Sequence, residues 1–339
     1  MDINDQIIHI VFTPNDYYAP YTAVTLQSVL EHSNNKKTYK IYFLHQDIKN
    51  DTIELLKEEI NSFKNFSIEF INVSKYIDGY SFVKGNFPKE AYFRLLIPEI
   101  FSTLDKILYL DGDMICLADI AELYETELGD NLLASSRDIT GIAPYYAAGG
   151  GGQGKHTKST DRLLSLKISN IDDCFITGML VINIKKFRKE FTTEELLKLA
   201  VFQEWQYADQ DILNEICDKK TLLLPMEWDF TEDERAAYFP DYLKKEYLNA
   251  QKNIKIYHFL GLLKPWVNTV NMPFCELFWK YATRTPFIGI IIDRMQQNGF
   301  IGWHGYFDGP LMLIKRKQLG YRFIFQCLKT RILRNKKDK

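Results

Sequence analysis

The chain has 339 residues, of which 46% are hydrophobic and 25% charged, which suits one large α/β domain with an appendage, or two domains. Residues 315–339 carry ten cations and one acid, a charge of +9, and the net charge of the whole chain is −2, so the rest of the chain is about −11. This acidic main part argues against nucleic-acid binding by the main domain. The five cysteines are scattered and lack CxxC spacing, which argues against a disulfide frame and a zinc site. The polar N-terminus argues against a signal peptide, and the lack of an apolar run near ~20 residues argues against a membrane span. We therefore expect a cytoplasmic protein.

Strand and helix patterns alternate along the first third of the sequence. Apolar, β-branched runs predict strands at residues 7–13, 39–44, 67–73 and 106–110. Helical spacing of apolar residues predicts helices at residues 20–32, 51–63 and 88–100. This alternation is typical of βαβ units in a parallel, doubly wound sheet, in which ligands bind beyond the carboxyl ends of the strands.

The second part of the sequence begins with a glycine-rich stretch. Residues 149–154 lack the GxxxxGK[ST] spacing of a phosphate-binding loop, and they predict either a surface insertion or a lid that orders over a ligand. Further strands are predicted at residues 132–136, 179–184, 222–224 and 255–259. Further helices are predicted at residues 193–203 and 209–217.

The strongest local signal is the pair Asp111 and Asp113, with Gly112 between them, directly after the apolar strand at residues 106–110. Carboxylate oxygens are the ligands that Mn²⁺ and Mg²⁺ prefer. Asp-Gly also predicts a hairpin turn. A third interpretation is a haloacid dehalogenase-like phosphotransfer enzyme with the first Asp as nucleophile, although Ile115 does not match that motif and three strand–helix units precede it.

Two later segments carry candidate polar groups. His258 ends an apolar strand and is followed by Gly261 and Lys264. An imidazole would complete a mixed nitrogen and oxygen metal site, the glycine would let backbone approach a ligand, and the lysine would neutralise a phosphate, although a lone histidine at a strand end is often structural. Asp209 and Gln210 stand at a predicted helix start, where they either cap the helix or bind sugar hydroxyls.

In this order, the segments resemble the family 8 retaining glycosyltransferases, which include bacterial lipopolysaccharide galactosyl- and glucosyltransferases and, more distantly, glycogenin. The matching segments are residues 10–12 with 16–18, 91–95, 109–113, 209–214 and 258–266. The resemblance implies an α/β fold, a Rossmann-like nucleotide-sugar-binding domain of glycosyltransferase A type with a mixed, mostly parallel sheet. We expect this catalytic domain at residues 1–280 and a small helical, basic C-terminal appendage at residues 281–339.

The resemblance also implies residue roles. Asp111, Asp113 and His258 are expected to hold Mn²⁺ or Mg²⁺ on the diphosphate of a UDP-sugar donor. Gln210 and Asp209 are expected to be catalytic residues at the donor sugar. Residues expected to bind the donor are Asn15, Tyr18 (on uracil), Arg94, Asp111, Gly112, Asp138, Thr177, Gly261 and Lys264.

The implied reaction moves a hexose, galactose or glucose, to a glycan or glycolipid acceptor of lipopolysaccharide or cell-surface polysaccharide synthesis, with retention of anomeric configuration. No carboxylate stands out as a nucleophile, which favours a front-face route in which the departing phosphate helps to take the acceptor proton. Ile176 stands where the family has an asparagine that contacts the sugar, with Thr177 as a partial substitute. This departure leaves open a non-catalytic UDP-sugar-binding relative.

Residues 315–339 mix cations with aromatic and aliphatic residues and hold no acid before Asp338. The composition favours an interfacial helix on the anionic inner face of the plasma membrane, beside a lipid-linked acceptor. The alternative is a solvated basic helix packed on the main domain.

Overall fold

The computed structural model describes residues 7–82, 87–150, 158–202, 205–261, 264–267 and 273–297. Its strands are Ile7–Phe12 (β1), Thr38–His45 (β2), Phe66–Asn72 (β3), Lys106–Leu110 (β4), Met114–Cys116 (β5), Leu133–Ser136 (β6), Met179–Asn183 (β7), Thr221–Leu224 (β8) and Ile256–His258 (β9). Seven strands form one sheet in the order β3-β2-β1-β4-β7-β6-β8, and β5 pairs with β9 in a separate antiparallel ribbon.

Helices connect these strands. The α-helices are Ala19–His32 (α1), Asn50–Ile60 (α2), Ser74–Ile77 (α3), Ile97–Ile100 (α4), Ala121–Tyr124 (α5), Ile139–Ala147 (α6), Lys158–Ser165 (α7), Ile184–Glu190 (α8), Thr193–Phe202 (α9), Ala208–Ile216 (α10), Asp241–Lys252 (α11), Cys275–Ala282 (α12) and Ile288–Gln297 (α13). Short 3₁₀-helices are Lys89–Leu96, Ile171–Asp173, Met226–Asp229 and Glu234–Tyr238.

The predicted mixed, mostly parallel α/β sheet is confirmed. Strands β1 to β4 pair in parallel, as the alternating strand and helix patterns predict, and β6 pairs in parallel with β8. Strand β7 runs antiparallel to both β4 and β6. This reversal places the residues that precede β7 beside the residues that follow β4, at the edge of the sheet where the candidate site lies.

The predicted single helix at residues 88–100 is wrong. The segment is a 3₁₀-helix, Lys89–Leu96, followed by the short α4. Pro98 explains the break, because it has no N–H to donate to the carbonyl of Arg94 and it fits only in the first turn of a new helix. The amide of Ile97 instead donates to the Arg94 carbonyl. Arg94 thereby lies in the last turn of the 3₁₀-helix, below the strand ends.

Apolar side chains pack on both faces of the sheet. One core contains α1 and the helices at the end of the described chain, with Phe278, Trp279 and Ile291 buried in it. The other contains the 3₁₀-helix Lys89–Leu96 together with α8, α9 and α10. The predicted domain boundary at residue 280 falls inside α12, and the boundary itself stays a prediction.

Two predictions concern residues outside the described ranges. The basic segment 315–339 lies there entirely, and the glycine-rich stretch lies there from residue 151 onward. Within the described residues, no helix has the length and apolarity to cross a membrane. Cys116, Cys174, Cys217 and Cys275 are buried and free of disulfides.

Candidate active site

Asp111 and Asp113 follow β4, and the β5–β9 ribbon brings His258 to them. Met114 of β5 is paired with His258 of β9, and the Phe259 amide donates to the Asp113 carbonyl over 3.0 Å. The hairpin-turn interpretation of Asp-Gly is wrong, because β4 pairs with β1 and β7 whereas β5 pairs with β9. The Asp-Gly-Asp segment therefore carries the chain from the main sheet into the ribbon, with both carboxylates at the junction.

The three predicted metal ligands converge. Asp111, Asp113 and His258 each offer one ligand atom, and these atoms all lie within 4.8 Å of one another. His258 Nε2 lies 3.2 Å from Asp113 Oδ1 and 4.0 Å from Asp111 Oδ2. It is buried and makes no hydrogen bond with the residues that the structure describes. A buried ring nitrogen that faces two carboxylates without a well-aligned hydrogen bond fits a divalent cation of mixed nitrogen and oxygen preference.

Asp229, which sequence reasoning missed, fixes the imidazole from the opposite side. Its Oδ1 lies 2.8 Å from His258 Nδ1, and both side chains are buried. A carboxylate accepts the Nδ1 proton, which leaves Nε2 to face the two aspartates. Burial alone lowers the pKa of His258, but Asp229 and Asp113 raise it to about 10. The ring is therefore protonated in the metal-free protein, and Nε2 would release its proton if it held a metal.

Two glycines allow the close packing around the Asp111, Asp113 and His258 cluster. A Cβ at Gly178 would lie 2.3 Å from His258 Cε1, and a Cβ at Gly112 would lie 2.1 Å from Thr22 Oγ1 on α1. The predicted donor-binding Gly112 is thus a site of close packing between the Asp-Gly-Asp segment and the first helix. Gly261 has φ +78°, a left-handed conformation that favours glycine, and it turns the chain after β9.

Lys264 and Tyr18 contact the second carboxylate oxygen of Asp113, and Asn15 lies next to Tyr18. Lys264 Nζ lies 2.5 Å from Asp113 Oδ2, and the Tyr18 hydroxyl donates to the same oxygen over 3.4 Å. Burial alone raises the pKa of Asp113, but Lys264 and His258 hold it well below its usual range. Asn15 Oδ1 accepts from the Tyr18 amide at 2.8 Å, and Trp266 meets the Tyr18 ring edge-on. The predicted nucleotide-side residues are therefore neighbours.

Arg94 joins the metal ligands to the predicted sugar side. Its Nη2 lies 3.0 Å from Asp111 Oδ1, its Nε lies 3.0 Å from Asp209 Oδ2, and its Nη1 donates to the Thr177 carbonyl at 2.5 Å. Tyr109 also donates to Asp111, over 2.5 Å. Burial raises the pKa of Asp209 to about 6, against the lowering effect of Arg94.

Asp209 is not a helix cap. Helix α10 follows Tyr207, the N-cap residue, and the Asp209 carboxylate turns inward to Arg94 and to Thr177, whose hydroxyl donates to it at 3.1 Å. Ile176, the residue in place of the family asparagine, is buried, with 3% of its surface exposed. Thr177 is the neighbouring polar side chain, and its hydroxyl proton is already donated to Asp209.

Asp138 and Gln210 belong to a second cluster of polar side chains, which also contains Arg162 and Asp211. Gln210 Nε2 donates to Asp138 Oδ2 at 2.8 Å, and Arg162 Nη1 lies 3.1 Å from the same oxygen. Arg162 also contacts Asp211, with Nε 2.5 Å from Oδ1. Sequence reasoning missed Arg162, which follows a glycine-rich stretch and belongs to no motif, and a pattern in one sequence offers no signal for it.

The comparisons with known proteins agree with this geometry. The model of the glycosyl transferase family 8 matches residues 9–269, more than half of the chain. The protein therefore belongs to glycosyl transferase family 8, and the predicted family is confirmed.

Sequence comparison finds relatives in bacteria, among them a general stress protein and a glucosyltransferase. The chain is 26% identical over 290 residues to general stress protein A of Bacillus subtilis, covering 83% of this chain and 95% of the relative. It is 23% identical over 289 residues to a lipopolysaccharide 1,2-glucosyltransferase of Escherichia coli, covering 81% of this chain and 78% of the relative. A family relationship thus extends over most of both sequences.

Solved structures show the same fold. The bifunctional glycosyltransferase WbbM, in its apo form, superposes with a TM-score of 0.75 at 26% identity, over 87% of this chain and 52% of that chain. The galactosyltransferase LgtC, solved with donor and acceptor sugar analogues, superposes with a TM-score of 0.64 at 23% identity, over 82% of this chain and 96% of that chain. The glycosyltransferase A type of fold is confirmed.

Proposed function

We propose that this glycosyltransferase moves a hexose, galactose or glucose, from a UDP-sugar to a glycan or glycolipid acceptor, with retention and with Mn²⁺ or Mg²⁺ held by Asp111, Asp113 and His258. The observation that carries the proposal is the convergence of three ligand atoms, the buried Nε2 of His258 among them, within 4.8 Å of one another. The names of the lipopolysaccharide glucosyltransferase and of LgtC support a hexose donor and a saccharide acceptor.

The residues on the nucleotide side are proposed to stabilise the negative charge that develops on the leaving UDP. A bound dication supplies Lewis-acid stabilisation of the diphosphate as the glycosidic bond breaks. Lys264 lies against Asp113, where its ammonium would be available to a phosphate oxygen of the donor. Tyr18 and Trp266 place aromatic surface beside the same carboxylate, where the nucleotide is expected.

The sugar side supports the front-face route. Asp209 is buried and bonded to Arg94 and Thr177, and Asp138 is wholly buried and bonded to Arg162 and Gln210. Neither carboxylate is free to attack an anomeric carbon without breaking these bonds. Asp209 and Gln210 are therefore proposed to bind and orient the donor sugar, while the departing phosphate takes the acceptor proton.

UDP release from a panel of UDP-sugars, with Mn²⁺ and with chelator, tests the proposed function. We expect slow, metal-dependent hydrolysis of one donor and faster turnover with a saccharide acceptor. UDP binding without turnover of any donor would instead favour the non-catalytic relative that Ile176 leaves open. Phosphate release from simple phosphomonoesters, without affinity for UDP, would favour the phosphotransfer interpretation. The family match favours glycosyl transfer over that interpretation.

The basic segment 315–339 is proposed to bind anionic membrane beside a lipid-linked acceptor, as an appendage to the catalytic domain at residues 1–280. In sedimentation with anionic liposomes, the full chain should be found in the pellet with the liposomes. A chain that ends at residue 314 should stay in the supernatant. Equal retention of both chains would contradict the proposal.

A further inference from the structure

Arg162, on α7, is a buried arginine that no step proposed above uses. Its side chain is 1% exposed, and it lies between the carboxylates of Asp138 and Asp211, at 3.1 Å and 2.5 Å. On the basis of the proposed function, we propose that Arg162 is a positioning residue that sets the orientation of the Gln210 side chain through Asp138.

The charges of this cluster depend on one another. The side chains of Asp138 and Asp211 are 1% and 2% exposed, and a buried charge is costly unless it is paired. Burial alone lowers the pKa of Arg162, but Asp138 is the first of the neighbours that raise it above its ordinary value. Arg162 is therefore cationic, and its guanidinium pairs with both buried carboxylates.

The bonding of Asp138 decides which end of the Gln210 amide faces it. Asp138 Oδ1 accepts from the Gly141 amide at 2.8 Å and from the Thr140 hydroxyl at 2.9 Å, while Oδ2 accepts from Arg162 and from Gln210 Nε2. A carboxylate cannot donate, so only the NH₂ end of the amide can bond to it. Gln210 Oε1 consequently points away from Asp138, and loss of the Arg162 contact would remove the ion pair that holds Oδ2 toward Gln210 Nε2.

The second contact of Arg162 holds the backbone that carries Gln210. Asp211 Oδ2 accepts from the Tyr207 amide at 2.9 Å, and the Arg162 guanidinium lies 4.2 Å from the centre of the Tyr207 ring. Between them, Ala208 has φ +43°, a conformation that a residue with a Cβ adopts only when its surroundings hold it. Arg162 thus reaches Gln210 along two routes, through Asp138 and through the start of α10.

Two substitutions separate these effects. Arg162→Lys keeps a cation but lacks the planar fork that serves both carboxylates. Arg162→Met removes the charge and both ion pairs, which leaves Asp138 without its cation. We expect kcat for donor turnover to fall about 10-fold in the first and about 100-fold or more in the second, with KM for the UDP-sugar and UDP affinity changed less than about threefold.

A matched control is Arg235→Lys, because Arg235 forks onto Asp233 with contacts of 2.8 Å and 2.6 Å outside the cluster. We expect this variant to retain the wild-type kcat. If Arg162→Met does not fold, the lysine variant and the control still give the comparison. Parallel losses of kcat, UDP affinity and thermal stability in Arg162→Lys would show a merely structural residue and overturn the proposal.

A readout without catalysis distinguishes the two proposals. Selective ¹⁵N labelling of glutamine gives the side-chain NH₂ signal of Gln210, assigned by its loss in Gln210→Met. We expect slow hydrogen exchange of this signal in the full-length wild type and faster exchange in Arg162→Lys. Unchanged exchange would overturn the positioning role, even in an active enzyme. A wild type that turns over no UDP-sugar but shows the Arg162-dependent exchange would overturn the proposed function alone.

Discussion

The two halves of the candidate site differ in how their polar groups are partnered. We call Asp111, Asp113 and His258 the metal-side cluster, and Asp138, Arg162, Gln210 and Asp211 the sugar-side network. In the metal-side cluster, His258 Nε2 is buried without a hydrogen bond. In the sugar-side network, four protein donors reach the Asp138 carboxylate, although Arg162 Nη2 lacks a partner among the described residues.

This difference separates a ligand site from the framework that supports it. Buried polar groups in folded proteins are nearly always satisfied, so a buried ring nitrogen that faces two carboxylates without a well-aligned hydrogen bond fits a place where a ligand completes the bonding. A carboxylate with four donors is already complete, and its role is to hold its donors in place. Substitutions in the metal-side cluster should therefore abolish ligand binding, whereas those in the network should misplace groups that still bind.

The largest expected effect follows from Asp113→Asn. The amide removes a charged ligand and leaves Lys264 and His258 without their common anion. We expect metal-dependent UDP-sugar turnover to fall about 10³-fold or more, since both metal binding and charge stabilisation are lost. Steady-state kinetics at saturating Mn²⁺ measures it, and Asp130→Asn, at a fully exposed carboxylate, is the control. Retained turnover in Asp113→Asn would remove the distinction between the two halves.

A smaller effect is expected from Asp229→Asn, which leaves all three ligands in place. The amide still bonds to the imidazole but no longer supports it with a charge, and changes behind a metal ligand typically weaken metal affinity about 10- to 100-fold. Titration of Mn²⁺ followed by electron paramagnetic resonance measures this affinity. An unchanged Mn²⁺ affinity would show that Asp229 serves only to pack His258.

An effect on stability alone concerns Glu59 on α2, whose two buried carboxylate oxygens have no hydrogen-bond partner among the described residues and which belongs to no metal-ligating group found among them. Burial raises its pKa well above the ordinary 4.5. Above pH 4.5 the unfolded chain releases this proton while the folded chain retains it, so stability falls as pH rises toward the folded pKa. Such an unpartnered group lowers stability without forming a site.

Glu59→Gln removes this titration. The free energy of unfolding of the variant should gain on that of the wild type by about 1.4 kcal/mol per pH unit in that window. Urea unfolding at pH 5 and pH 8 measures the gain, and Glu58→Gln, an exposed neighbour, is the control. A constant difference between Glu59→Gln and the wild type across these pH values would contradict the expected titration.

The sequence predicted the metal-side cluster better than the sugar-side network because the first depends on local patterns. Strands β4 and β9 are apolar runs, and Asp111, Asp113 and His258 follow or end them, so the family motif and the strand ends indicate the same place. The turn alternative failed because strand pairing in β5 depends on β9, far along the chain. Gly112 was visible as part of the motif, but its close packing on α1 was not.

The network depends on long-range contacts that no local pattern encodes. Arg162 meets Asp138 at a separation of 24 residues and Asp211 at 49 residues. Asp229 likewise meets His258 from the end of a 3₁₀-helix, 29 residues earlier. The antiparallel direction of β7 is also a tertiary outcome, since an apolar run alone does not indicate strand direction. The break of the predicted helix is different, because Pro98 is a local signal that the prediction of one helix did not use.

The most direct test of the metal-side cluster is calorimetric titration of the protein with UDP, in Mn²⁺ and again in chelator. We predict that Mn²⁺ tightens UDP binding about 10-fold or more in the wild type and leaves it unchanged in Asp113→Asn. Equal UDP affinity with and without Mn²⁺ in the wild type would contradict the assignment of Asp111, Asp113 and His258 as the ligands of a nucleotide-binding metal.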